Sequence, residues 1–196
     1  MMDDSRVLSV LKSCDALLEG HFRYTSGRHG SRYFEKIRIV QHPDLVMELG
    51  SLLADSVEDI ADQIDIVCAP AFGAIVFGFA AAFKLGKPFA FLQRNAEGTM
   101  SLRSGFQGLV ENSRILLVED VVTTGGSIRE SITALNALES TVVMVGLLVD
   151  RTNGTLELDV PYRALLTVDA KSWSVEDCPL CRDGIPVTKP GSSGKS

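Results

Sequence analysis

Apolar positions along this chain keep two alternating rhythms, clusters spaced three and four apart and short unbroken runs. Val7, Leu8, Val10, Leu11, Cys14 and Leu17 form a stripe that predicts a helix over Arg6 to Leu18, ended by Gly20. Phe22, Tyr24 and then Tyr33 to Val40 read as strands around a turn at Ser26, Gly27 and Gly30. Pro43 in a first turn opens a helix reaching about Asp59, and Ile64 to Ala69 is a buried strand. A tight turn from Pro70 to Ala74 leads into an apolar helix from Ile75 to Leu85, in which Phe77, like Phe72 before it, reads as a packing residue. Pro88 to Leu92 is a short strand.

The polar stretch Gln93 to Gly105 has no period, and a loop of that length inside a domain is expected to act as a lid or binding loop. Ile115 to Val118 is a continuous β-favouring run, followed by a helix starting near Ser127 with Ile128, Ile132, Leu135 and Leu138 on one side. Thr141 to Val149, ending in Asp150 and Arg151, and Ala164 to Val168 complete the strands. Strands alternating with helices predict an α/β fold with a central, mainly parallel sheet flanked by helices.

The 196 residues suffice for one such domain, and 45% hydrophobic with 22% charged residues is a soluble globular composition. A net charge of -6 argues against a nucleic-acid surface. The acidic amino end has no basic leader, and the longest apolar stretch, Ile66 to Phe83, is interrupted by Pro70 and Gly73, so no membrane span is expected. Four cysteines make no disulfide scaffold in a chain of this size, which fits a reducing cytoplasm. Cys178 and Cys181 have the spacing of half a zinc site, but there is no second CxxC and the three histidines lie near the other end of the chain. Structural or incidental thiols are the expectation. The terminal GSSGKS lacks the leading glycine of a Walker A loop, since Lys189 stands there, and 191–196 is expected to be a disordered tail.

Candidate chemistry concentrates in ILLVEDVVTTGGS, Ile115 to Ser127. Glu119 and Asp120 fall at the carboxyl end of a buried strand, where open α/β sheets bind ligands. Val121 and Val122 lead to Thr123, Thr124, Gly125, Gly126 and Ser127, whose hydroxyls and flexible backbone can close around an anion at a helix amino terminus. Carboxylates at the entrance of a phosphate cradle suit the hydroxyls of a sugar and a hydrated magnesium ion. The segment resembles the phosphoribosyl diphosphate (PRPP) motif of type I phosphoribosyltransferases.

GHFRYTSGRHGSRYFEK, APAFGAI, MSLRSGF, LLVDR and CPLCRDGIPVTKPGS extend the likeness, in order, from Gly20 to about Ser192. Together they resemble the orotate phosphoribosyltransferase family. The resemblance implies a type I phosphoribosyltransferase fold in a single domain over 1–190, with a hood from about 1–40 and the C-terminal part, and a mobile loop. It implies transfer of phosphoribose from PRPP to orotate, giving orotidine 5′-monophosphate and diphosphate. Glu119 and Asp120 would hold the ribose diol, Thr123 to Ser127 the 5′-phosphate, with Val121 and Val122 also on PRPP, and Ala69, Pro70 and Ala71 the diphosphate side. Arg94 and Arg103 would meet the diphosphate, and Arg151, Thr123 and Lys36 the orotate. Mg2+ would be carried mainly by PRPP and water, with no dedicated protein ligands, and a homodimer is implied.

The expected mobile loop departs from the family pattern in having neither lysine nor histidine, with Asn95 where a lysine would follow Arg94 and Phe72 near another frequent lysine. Two alternatives therefore stand beside orotate transfer: a phosphoribosyltransferase acting on another base, and a PRPP-sensing protein without catalysis.

Overall fold

Residues 4–24, 26–168 and 171–189 are described by a computed structural model of the chain. Its elements are α1 (Asp4–Ser13), β1 (Leu17–Arg23), β2 (His29–Phe34), α2 (Lys36–Val40), α3 (Pro43–Asp55), a 3-10 turn (Glu58–Gln63), β3 (Ile66–Pro70), α4 (Ile75–Leu85), β4 (Phe89–Arg94) and β5 (Met100–Leu102). There follow α5 (Gln107–Val110), β6 (Arg114–Val122), α6 (Gly126–Asn136), β7 (Thr141–Asp150), β8 (Tyr162–Thr167), β9 (Ser172–Trp173) and α7 (Pro179–Arg182). The main sheet runs β5-β4-β3-β6-β7-β8, parallel except for the antiparallel edge strand β5. A smaller antiparallel sheet, β1-β2-β9, joins the amino-terminal hairpin to the far end of the chain.

Side chains alternate along β6, and the two faces build two cores. Leu116 and Val118 pack with Leu49 and Leu53 of α3 and Phe77 of α4. Ile115 and Leu117 pack with Ile128 and Leu135 of α6. Helices on both faces explain why the central strands are continuous apolar runs rather than alternating ones. α3 and α4 approach so closely at Gly50 that a side chain there would run into Ala80 and the backbone nitrogen of Ala81.

Several expected boundaries move. α1 stops at Ser13 because Asp15 takes a left-handed φ of 53° and the Ala16 N–H donates back to Leu11 O at 2.8 Å. Leu17 then joins a strand, and Gly20 lies within β1 rather than ending a helix. The β-branched run Lys36 to Val40 is helical, not extended; one turn buries Ile39 and leaves Ile37 outside, so packing overrides local preference. α3 ends at Asp55, four residues early. Gln93 to Gly105 is not an irregular loop: β4 continues through Arg94, Asn95 N–H donates to Thr99 O at 2.9 Å, and β5 returns along the sheet edge. An edge hairpin with one side facing solvent carries little apolar periodicity. β6 continues through Val122, which places Glu119 and Asp120 inside the strand. The expected tail, 191–196, lies outside the described residues.

Gly50→Val should therefore strain the α3–α4 contact and cost about 1–3 kcal/mol. A lower urea midpoint with unchanged m-value is the expected readout; an unchanged midpoint would contradict this packing.

Candidate active site

The direction of sheet growth reverses between β3 and β6: β4 lies on one side of β3, and β6, β7 and β8 follow on the other. Ligands of open α/β sheets bind at such a switch point, outside the strand carboxyl ends. β3 and the turn after it present Ala69, Pro70 and Ala71 there, and β6 presents Glu119 to Val122. Pro70 carries no N–H and the Ala71 N–H donates to Leu92 O at 2.6 Å, so an anion at this turn would meet donors beyond Ala71. The Ala71–Phe72 peptide is cis. Phe77 is a core residue as expected, but Phe72 is 84% exposed, because Ala74 and Phe77 take the inward positions of this segment.

Glu119 and Asp120 are both buried. As neighbours on one strand they find partners from different helices. Glu119 accepts from the Ser127 hydroxyl on α6 at 2.6 Å. Asp120 accepts from Lys36 Nζ on α2 at 2.5 Å and from the Val121 N–H at 2.6 Å. Gly73 closes against this pair, and a side chain there would collide with Asp120 Oδ2 and Lys36 Nζ. Burial first, and then the Asp120 charge, push the Glu119 carboxyl from 4.5 up to about 7.

Thr123 and Thr124 lead to Gly125, whose φ of 76° turns the chain into α6 and whose missing side chain leaves room for Leu156. Gly126 and Ser127 form the first turn of α6, with its unpaired N–H groups. Arg129 braces the loop, donating to Thr124 O at 2.7 Å and to Glu157 O at 2.8 Å. No sequence signal singled it out, since an arginine on a helix surface is ordinary.

Arg151 follows β7, and its N–H donates to Val122 O at 3.0 Å. Its guanidinium lies 4.9 Å from the centre of the Tyr24 ring. A cavity of about 490 Å3 opens between the two sheets, lined by Tyr24, Tyr33, Thr123, Thr124, Arg151 and Lys189 among others. Tyr24, Tyr33 and Lys189 were not legible as site residues, because the first two read as strand residues and the third as part of a polar tail. Asp150 accepts from the N–H and hydroxyl of Thr152, both at 2.7 Å, and so shapes the turn after β7.

Arg94 and Arg103 are placed elsewhere. They line a groove of about 890 Å3 between the β4–β5 hairpin and α6. There Arg94 pairs with Glu130 at 2.6 Å and donates to Gly98 O at 2.6 Å. Though that groove is larger, the smaller cavity is the better candidate for chemistry, because Thr123 and Thr124, which continue the strand that bears the acidic pair, line it together with Arg151. Among the described residues no helix is long and apolar enough to cross a membrane.

An acidic pair, a hydroxyl- and glycine-rich loop at a helix terminus and a cationic cavity lie around one switch point, and the class of the chain is a phosphoribosyl-transfer domain. The family model described as a phosphoribosyl transferase domain matches residues 37–180. The orotate phosphoribosyltransferase of Pelotomaculum thermopropionicum is 43% identical over 195 residues, 97% of this chain and 98% of that one. The crystal structure of orotate phosphoribosyltransferase from Aeropyrum pernix superimposes with a TM-score of 0.70 at 28% identity, over 83% of this chain and 93% of that one. Adenine phosphoribosyltransferase from Thermoanaerobacter pseudethanolicus gives a TM-score of 0.66 at 17% identity, over 81% and 99%, so the fold alone does not select a base. The chain belongs to the orotate phosphoribosyltransferase family.

The raised Glu119 carboxyl has a signed consequence. Between about 4.5 and about 7 the folded protein holds a proton that the unfolded chain releases, so this contribution is complete below 4.5 and is lost as pH rises through 7. The urea midpoint of the ligand-free protein should fall across that interval, and Glu119→Gln should flatten the dependence. The same slope in both proteins would contradict the assignment.

Proposed function

We propose that this protein transfers the phosphoribosyl group of PRPP to orotate, giving orotidine 5′-monophosphate and diphosphate in pyrimidine synthesis. The observation that carries the reading is the cavity that Arg151 shares with Thr123 and Thr124, the two residues that join the strand bearing Glu119 and Asp120 to the helix starting at Gly126. In this reading the 5′-phosphate lies on the loop N–H groups, and the ribose diol donates to the two carboxylates, displacing Lys36 and Ser127 as their partners. Released Lys36 becomes a cation on the substrate side. Arg151 pairs with the orotate carboxylate and Thr123 touches the base, while Tyr24 and Tyr33 wall the cavity against water. As the bond to diphosphate lengthens, the anomeric carbon gains cationic character, which nearby carboxylates stabilise.

Hard carboxylate oxygens suit magnesium, but in this reading the ribose diol takes them, which fits an ion carried mainly by PRPP and water. Bound in that way, it would offset charge on the departing diphosphate. Arg94 and Arg103 could assist only after the hairpin moves, since Arg94 must leave Glu130.

Magnesium-dependent loss of orotate absorbance in the presence of PRPP tests the reaction. Asp120→Asn should lower kcat/KM by about 100-fold or more with little change in stability. Arg151→Ala should raise KM for orotate by about 10- to 100-fold, the worth of a charge-assisted hydrogen bond. Turnover of a purine but not of orotate would replace this reading with another base. PRPP binding without product from any base would favour a sensor.

A homodimer is part of the same proposal. Ile37 of α2, Met47 of α3 and Phe79 and Phe83 of α4 are exposed, 57%, 37%, 55% and 71%, on helices that pack together. Exposed apolar area of this kind fits burial against a second copy. Phe79→Glu should shift the protein to monomer in sedimentation, and a monomeric parent protein would contradict the interface.

A further inference from the structure

The CPLC segment looked like half a metal site without a partner; the fold supplies a second half from the other end of the chain. An extra residue in β1 between Glu19 and Phe22 makes a bulge opposite Ser31, which turns the His21 side chain inward. His29 begins β2 on the adjoining strand, and α7 brings Cys178 and Cys181 against both. His21, His29 and Cys178 are buried, and Cys181 closes the solvent side.

The four donor atoms all lie within 4.8 Å of one another. Cys178 Sγ is 3.5 Å and Cys181 Sγ 3.7 Å from His21 Nε2, and Cys181 Sγ is 3.2 Å from His29 Nδ1. His21 Nε2 and His29 Nδ1 are 2.8 Å apart. A tetrahedral zinc ion with ordinary bond lengths separates N and S ligands by about 3.6 Å and two N ligands by about 3.3 Å. These four contacts need a shift of about half an ångström at most to accept the ion, and the widest separation in the cluster, up to 4.8 Å, must close by about 1 Å. His21 is also oriented as a ligand: Nδ1 lies 2.7 Å from Ile185 O, so it donates to that carbonyl and leaves the Nε2 lone pair facing the cluster.

We propose that His21, His29, Cys178 and Cys181 bind one Zn2+ per chain in a closed Cys2His2 site. Two thiolates and two imidazoles favour zinc over magnesium or calcium, which take oxygen ligands. With four protein ligands no position is open for substrate or water, so the ion is structural. On binding, the two thiols release their protons to solvent and both sulfurs coordinate as thiolates. The site clamps the segment after Cys178 onto β1, where Arg23 N–H donates to Thr188 O and Thr188 N–H to His21 O, both at 2.8 Å. Lys189, the next residue, lines the same cavity as Tyr24 and Arg151, so the clamp sets one wall of that cavity. The zinc assignment does not depend on which base the cavity accepts.

The experiment is metal analysis of the full chain purified under reducing conditions from zinc-supplemented cells and passed through a desalting column. One zinc per chain is expected, together with a lower Tm after prolonged chelation that zinc alone restores. Cobalt(II) added to the chelated parent protein should give thiolate-to-metal charge-transfer bands and intense tetrahedral d–d bands. Because variants at these positions could fail to fold, the cobalt spectrum of the unmutated chain stands as an independent reading. Cys178→Ser/Cys181→Ser should lose at least nine-tenths of the zinc and all charge-transfer absorbance. Absence of retained zinc together with absence of a thiolate–cobalt spectrum would overturn the proposal, as would full zinc content in the double variant. A Cys178–Cys181 disulfide in the reduced preparation, or iron in place of zinc, would also overturn it.

Discussion

Two carboxylates on consecutive residues of one buried strand are the constraint around which this molecule is arranged. Strand geometry sends Glu119 and Asp120 to different neighbours, and burial makes each costly unless it is bonded. Glu119 is met by Ser127 from the helix that follows, and Asp120 by Lys36, 84 residues earlier in the chain. Gly73 has no side chain because Asp120 and Lys36 occupy the space where one would stand. The same geometry leaves Glu119 with a carboxyl pushed up to about 7 in the ligand-free protein.

Position at the switch point gives the pair its neighbours. β3 and β6 end side by side, so the phosphate loop after β6 and the turn after β3 face one crevice. The smaller sheet roofs it from above Arg151: Tyr24 lies against the guanidinium, and Lys189 arrives from the end of the described chain. The amino- and carboxyl-terminal segments thus act together on one side of the cavity, joined by the Thr188 pairing with β1. Arg94 and Arg103 stand apart, one of them in an ion pair with α6. The static architecture gathers the acidic pair, the loop after β6 and Arg151 around one crevice and leaves the cations of the edge hairpin outside it.

Elements whose apolar pattern faces a core were legible with small shifts, among them α4 over Ile75–Leu85, β3, β7 and the strand-loop-helix unit from Ile115 onward. Elements with little buried surface were not. The helical turn Lys36–Val40 carries strand-favouring side chains, and its conformation follows from burying Ile39 alone. The β4–β5 hairpin is polar because one side is open to water, so it resembled a loop. β9 and α7 span two and four residues, too few for any period to register.

By itself the sequence determined what is contiguous: an α/β sheet, the acidic pair, the phosphate loop, and a cation after β7. Each of these needs only local backbone geometry and residues within a few positions of one another. Tertiary structure alone decided what is distant, such as the Lys36 contact to Asp120, the tyrosine roof over Arg151, and the parking of Arg94 on Glu130. It also decided the meaning of the cysteines. Cys178 and His21 lie 157 positions apart, and only a bulge in one hairpin and the docking of the tail bring their donor atoms within reach of a single ion. Separation of that length carries no periodic trace in a sequence, because it is set by which strands pair and not by which residues adjoin.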